Sequence, residues 1–198
     1  MYKRQVLWGD RILAILAEPL LRELPGATII ADVKASQTVF DRIAALGGVP
    51  CIARTGHSPI KAKMVETGAP LAGELSGHIF FAQDWYGFDD ALYAAVRLIR
   101  AVCLSGRSLA ELRDAMPVLV STPDLRIPVA EAHRAAVVVQ VAARLDAAGV
   151  TADMTDGVRV TEADGWWLLR RSNTEAAVTV RAEAVDEAAE LRITLRPA

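Results

Sequence analysis

The chain is predicted to fold as an α/β domain, built on a βαβ unit and a mixed sheet, followed by a smaller α+β domain. Three observations lead there. Helical and strand-like periodicities alternate up to about Cys103, the pattern of a sheet covered by helices. Ser105-Gly106-Arg107-Ser108 is short, polar and punctuated by glycine, which marks a boundary, so the domains are placed at 1–106 and 107–198. Beyond it a long helical segment precedes three β-rich runs without further alternation. Of the 198 residues 53% are hydrophobic, enough material for two cores.

Taken in order, Leu13, Leu16, Leu20 and Leu24 recur at helical spacing from Asp10 to Leu24, with a kink expected at Pro19 and a stop at Pro25-Gly26. Thr28 to Val33 reads as a buried strand, Ser36 as the N-cap of a helix through Leu46, and Val49 to Arg54 as the next strand. A right-handed crossover between these strands gathers their polar ends, Asp32, Lys34, Thr55 and His57, along one sheet edge. Ser58 and Pro59 read as N-cap and first residue of a helix to Thr67, followed by a strand near Leu71, a strand from His78 to Gln83 and an Ala-rich helix from Asp89-Asp90 to about Cys103. In the second domain a short helix from Ser108 to Met116 leads into a stretch containing Pro117, Pro123 and Pro128, which suits an edge strand or irregular segment. Glu131 to Ala148 is a helix with Val137, Val138, Val141 and Leu145 inward, and Val158 to Thr161, Trp166 to Arg170 and Ala177 to Ala182 are strands.

A formal charge of −2, with lysine and arginine spread along the chain, argues against a nucleic-acid partner. Asp10 and Arg11 interrupt the N-terminal stretch before any sustained apolar run, so neither signal peptide nor membrane span is expected. Cys51 and Cys103 lack metal-ligand spacing and lie in apolar surroundings; buried, reduced thiols and a cytoplasmic location are expected. No residues are read as metal ligands, because no acidic cluster is evident.

Two loops carry the chemistry. Gly73-Glu74-Leu75-Ser76-Gly77-His78 has glycine near both ends and three polar side chains in one arc. A carboxylate such as Glu74, a hydroxyl such as Ser76 and an imidazole such as His78 suit sugar hydroxyls; a hairpin turn that satisfies its own backbone is the alternative. Arg170-Arg171-Ser172-Asn173-Thr174-Glu175 offers guanidinium, hydroxyl, amide and backbone donors, an inventory for phosphate; a capped strand-to-helix corner is the alternative. His57, before Pro59, stands at a helix N-terminus where an anion or a transferred proton is stabilised, or is incidental to a capping turn. His133 is assigned to the surface, and the Trp85-Tyr86-Gly87-Phe88 and Trp166-Trp167 clusters to packing.

In their order, Asp32-Val33-Lys34, Thr55-Gly56-His57-Ser58, the 73–78 loop, Tyr86-Gly87-Phe88-Asp89-Asp90, Asp156-Gly157-Val158-Arg159 and the 170–175 loop resemble the α-D-phosphohexomutases. The bacterial phosphomannomutase/phosphoglucomutase branch is the most similar, Leu75 standing where the glucosamine branch usually has glutamine. The resemblance runs from about Asp10 to the end and implies the third and fourth of four domains. It implies that Glu74 and Ser76 bind sugar hydroxyls, that Arg170, Ser172, Asn173 and Thr174 bind the non-reacting phosphate, and that Lys34, His57 and His78 are acid/base candidates near the reacting end. The complete enzyme would interconvert hexose 1- and 6-phosphates through a bisphosphorylated sugar. Its phosphoserine and Mg2+ loops belong to the first two domains and have no counterpart in this sequence, so the chain alone is expected to be inactive. The other readings are a stand-alone phosphosugar-binding module and one half of a split enzyme. Departures from the family pattern are Ala176 in place of proline, Ala91 in place of glycine, and Met1 to Gln5, which read as a remnant of truncation.

Overall fold

The computed structural model describes residues 6–173 and 175–194; the reading of Met1 to Gln5 lies outside them. The chain forms two compact units that divide between Pro117 and Val118. In the first, the elements are α1 (Gly9–Glu23), β1 (Thr28–Asp32), α2 (Gln37–Ala45), β2 (Val49–Ala53), α3 (His57–Thr67), β3 (Leu71–Gly73), β4 (Ile79–Phe81), α4 (Ala91–Ser105) and α5 (Leu109–Asp114). The sheet has the order β2-β1-β3-β4, with β1 parallel to β2 and β3, and β4 antiparallel to β3. It is the mixed sheet the sequence predicts.

Alternation along the strands builds two cores. Ile29, Ala31, Leu71, Ile79 and Phe81 pack with Leu13, Leu16 and Leu20 of α1, Val39 and Ile43 of α2, and Ala94 and Ala101 of α4. On the opposite face Ile30, Ala53, Ala72 and Phe80 meet Ile60 and Met64 of α3. Such period-two partition is what a sheet covered on both faces requires. Helix α1 continues through Pro19, and Ser36 caps α2 as expected, its hydroxyl accepting from Thr38 N–H.

The structure corrects the sequence reading in several places. The domain boundary lies past α5, because Leu112 and Met116 are buried in the first unit's core; the Gly106 turn only reverses the chain between two helices, α5 being opened by a capping box of Ser108 and Glu111. Helix α3 begins at His57 with Gly56 as N-cap, so Ser58 is already helical and Pro59 falls within the first turn, where a missing N–H costs nothing. Both cysteines are free thiols, but Cys51 is half-buried and Cys103 exposed, since position 103 falls on the outward side of α4.

The second unit contains β5 (Val120–Ser121), β6 (Leu125–Pro128), α6 (Glu131–Ala147), β7 (Val158–Glu162), β8 (Gly165–Arg171), β9 (Ala177–Ala184) and α7 (Glu187–Thr194). Its sheet is antiparallel in the order β5-β9-β8-β7, with β6 also on β9. The proline-rich stretch is therefore an edge, as proline's lost donor demands. Trp166 is fully buried, donates its indole N–H to Glu183 at 2.9 Å and lies under the Arg159 guanidinium. Helix α7, which the sequence reading did not foresee, packs Ala189 and Ile193 on Ala182 and Ala184. Val137, Val138, Val141 and Leu145 are only half-buried, and among the described residues none in α6 is fully covered.

Asp32, at the end of β1, is fully buried. Its Oδ1 accepts from Leu75 N–H at 2.9 Å and its Oδ2 from the Thr55 hydroxyl at 2.9 Å. Burial pushes its carboxyl above the usual range, against the opposing pull of the Leu75 bond, the Lys34 charge and Thr55. A raised folded pKa means stability that is present at low pH and lost as pH rises through the folded value. Asp32→Ala should cost about 1–3 kcal/mol by removing the acceptor of the buried Leu75 N–H. Asp32→Asn keeps both bonds, with Thr55 as acceptor, so its stability relative to wild type should improve between about pH 4 and about pH 7 in urea melts. An unchanged difference across that range would contradict this account.

Candidate functional site

The C-terminal ends of β1, β2 and β3 converge on the 73–78 loop, the side of a parallel sheet where ligands commonly sit. The loop closes on itself through Glu74 N–H to His78 O at 2.9 Å and Gly77 N–H to Glu74 O at 3.0 Å. The hairpin reading is thus correct for its backbone. The Glu74 side chain does something else. Only 3% exposed, it accepts from Gly56 N–H at 2.6 Å through Oε1 and from the Ser76 hydroxyl at 3.2 Å through Oε2. A carboxylate has about four acceptor positions, so two bonds fix its plane and leave capacity for ligand hydroxyls.

Gly9 braces this loop from behind. A Cβ there would lie 2.3 Å from Gly77 Cα and 2.5 Å from Glu74 O, and Gly9 N–H reaches Leu75 O at 3.3 Å. No motif marks Gly9, whose role exists only because α1 starts against a loop far along the chain.

The two histidines meet on the rim. His57, first residue of α3, and His78 stack edge to face with centroids 4.5 Å apart. Asp89 Oδ2 lies 2.7 Å from His78 Nδ1 and 3.8 Å from His57 Nε2, while its Oδ1 accepts from Ile79 N–H at 3.3 Å. Asp89 thus orients the His78 ring and lies within ion-pair reach of His57. Lys34, half-buried after β1, enters through its charge, which acts on Asp32.

In the second unit the 170–175 loop is the hairpin turn between β8 and β9, not a strand-to-helix corner. The Arg170 side chain is 7% exposed, and its Nε donates to Asp156 Oδ2 at 3.0 Å. Its Nη2 is buried without a hydrogen-bond partner among the described residues. Ser172 Oγ accepts from Glu175 N–H at 3.1 Å, and Asn173 is exposed at the turn; Thr174 lies outside the described residues. Arg134, from α6, donates through Nη1 to Ser172 O at 2.9 Å and Glu175 O at 2.6 Å, and Arg126 pairs with Glu175 at 2.7 Å. The sequence reading missed these two arginines.

An α/β/α domain with a carboxylate-hydroxyl-histidine loop, followed by an antiparallel domain with an arginine-bearing turn, defines a two-domain chain that carries one polar loop in each unit. Residues 8–119 match the family model described as phosphoglucomutase/phosphomannomutase, alpha/beta/alpha domain III, and residues 125–197 match the C-terminal domain of the same family. The chain belongs to the phosphoglucomutase/phosphomannomutase family, a family of isomerases that act as intramolecular phosphotransferases. It is 41% identical over 184 residues to a phosphomannomutase/phosphoglucomutase of Pseudomonas aeruginosa, covering 92% of this chain and 39% of that protein. It is 40% identical over 193 residues to a phosphoglucomutase of Neisseria gonorrhoeae, covering 96% of this chain and 42% of that protein. A crystal structure of a family protein from Burkholderia thailandensis superposes with a TM-score of 0.87 at 41% identity, covering 96% of this chain and 40% of the other. The chain thus spans about two fifths of the length of the relatives it matches.

Gly157 fixes the arginine. It has φ +97, and a Cβ would fall 2.3 Å from Leu169 O and 2.8 Å from Arg170 Cα. Gly157→Ala should destabilise the chain by about 1–3 kcal/mol from backbone strain alone and shift Arg170 amide and guanidinium NMR signals. Unperturbed Arg170 signals in a folded variant would show that Gly157 does not set the arginine's position.

Proposed function

We propose that the chain supplies the sugar- and phosphate-recognition part of a phosphomannomutase/phosphoglucomutase, interconverting hexose 1- and 6-phosphates in a reducing cytoplasm. The observation that carries this reading is the Arg170 turn, where a guanidinium oriented through Nε by Asp156 is followed directly by the Ser172 hydroxyl and the exposed Asn173 amide. A guanidinium and a phosphate oxygen form a charge-assisted bond, and Arg170, Ser172, Asn173 and Thr174 are assigned to one anion. Glu74 and Ser76 are assigned to sugar hydroxyls, and Lys34, His57 and His78 to acid/base work.

Moving a phosphoryl group needs an in-line nucleophile and a cation on the transferring oxygens. Among the described residues, the grouping with metal-ligand geometry is His57, Glu74 and His78. Two imidazoles and one carboxylate do not fit Mg2+, which takes oxygen ligands in an octahedron. The magnesium implied for the complete enzyme is therefore assigned to residues outside this chain, as is the phosphoserine.

The isolated chain should bind glucose 1-phosphate or mannose 1-phosphate with a Kd of about 1 mM or weaker and show no mutase turnover. An NMR titration should move resonances around both loops, and Arg170→Ala or Glu74→Ala should weaken binding by about tenfold or more. Absence of shifts at high millimolar ligand would sink both site assignments. Micromolar saturation would favour a stand-alone binding module.

Helix α4 carries an outward stripe of Leu92 (82% exposed), Val96 (61%), Ile99 (64%) and Cys103 at helical spacing, more apolar surface in one row than a solvated helix normally shows. With two fifths of the relatives' length accounted for, we assign this stripe to contact with the preceding domains of the complete enzyme. Mixing the chain with residues corresponding to those domains from a relative should restore turnover, and Leu92→Glu with Ile99→Glu should abolish restoration while leaving the melting curve intact. Full restoration by that double variant would refute the assignment.

A further inference from the structure

The rim of the sugar loop holds a donor set that its sugar reading does not require. One ligand atom from each of His57, Glu74 and His78 falls within 4.8 Å of the others. Around a tetrahedral zinc ion with bond lengths near 2.0–2.1 Å, ligand atoms lie roughly 3.3 Å apart. The two imidazoles have side chains 48% and 44% exposed and are able to close that difference by side-chain rotation, while Glu74 stays fixed by Gly56 and Ser76.

We propose that His57, Glu74 and His78 bind a borderline divalent cation, Zn2+ or Ni2+, and that this cation excludes sugar from Glu74. Three features favour it. The donor set of two imidazole nitrogens and one carboxylate oxygen suits late first-row metals and disfavours Mg2+ and Ca2+. Asp89 sits on His78 Nδ1 at 2.7 Å, which presents Nε2 outward in the carboxylate–histidine–metal arrangement that outer-shell partners of metal-bound histidines adopt. The rim position leaves a coordination place open to water, as in three-ligand zinc sites. Cation binding stands independently of the sugar reading; its competition with sugar rests on it. In the proposed enzyme the effect is inhibition: a cation on these three residues withdraws both acid/base histidines and the hydroxyl-binding carboxylate at once.

The test is calorimetric titration of the whole 198-residue chain with ZnCl2 alone, with MgCl2 as the control. One-to-one binding of Zn2+ without Mg2+ binding is expected. His57→Ala and His78→Ala should each weaken it by about 100-fold, Asp89→Asn by roughly tenfold, and His133→Ala, in α6, not at all. In wild-type protein, which needs no variant to fold, Zn2+ should shift the ring signals of His57 and His78 and leave those of His133 in place. Co2+ should give the visible bands of a four-coordinate site. Absence of Zn2+ binding, or ring shifts confined to His133, would overturn the proposal. A second titration adds glucose 1-phosphate: mutual weakening supports exclusion, and unchanged Zn2+ affinity at saturating sugar overturns the competition while leaving the metal site standing.

Discussion

The buried carboxylate of Asp32 is the constraint on which the sugar-loop side of the first unit depends. One oxygen holds the Leu75 amide and the other the Thr55 hydroxyl, so a single group at the end of β1 ties the segment after β2 to the loop after β3. Burial of an ionisable group is unfavourable, and the raised carboxyl reflects it. The compensation is geometric. With Leu75 held, Glu74 is fixed on one side and Ser76 on the other, and with Thr55 held, Gly56 N–H is brought to Glu74 Oε1 at 2.6 Å. Helix α1 closes the arrangement, Asp10 accepting from Ser36 N–H at 3.0 Å while Gly9 lies against Gly77. Stability contributed by the core of α1, β1 and α2 is thus coupled to the position of the Glu74 carboxylate.

The second unit solves the same problem with cations. A hairpin turn rich in donors has carbonyls of its own, and Arg134 takes two of them, those of Ser172 and Glu175. The turn is held internally as well, Ser172 N–H donating to Ala177 O at 3.0 Å and Glu175 N–H to Ser172 Oγ at 3.1 Å. Asp156 then orients Arg170 through Nε, and Gly157 permits the preceding turn to lie directly on β8. A guanidinium held by one edge is pre-organised, its rotamer already restricted by the bond to Asp156.

Much of this was legible in the sequence wherever residues that act together are neighbours in it. Glu74 and Ser76 share a loop, Arg170 and Ser172 share a turn, and the βαβ alternation announces the mixed sheet. What escaped the sequence reading depends on long separations. Asp32 meets Leu75 across 43 positions and Arg134 meets Ser172 across 38, and no periodicity encodes either. Ser105-Gly106-Arg107-Ser108 has the composition of a linker, yet burial of Leu112 and Met116 in the first core makes it a turn between two helices of one domain. Helix α7 was missed because Glu187–Thr194 is short and opens with acidic residues, so its apolar positions, Ala189 and Ile193, are too few to declare a period.

Among the described bonds, those that shape Glu74 come from the first unit, and those that shape Arg170 come from the second. Each group is therefore positioned by the scaffold of its own unit. In the proposed function this separates recognition from reaction: selective contact with hydroxyls and anions would belong to each unit, whereas phosphoryl transfer demands reacting atoms placed within a fraction of an ångström and charge neutralised where it develops. Each separate contact yields only a few kcal/mol before the cost of association is met, so the proposed reading expects weak binding from either unit and turnover from assembly alone.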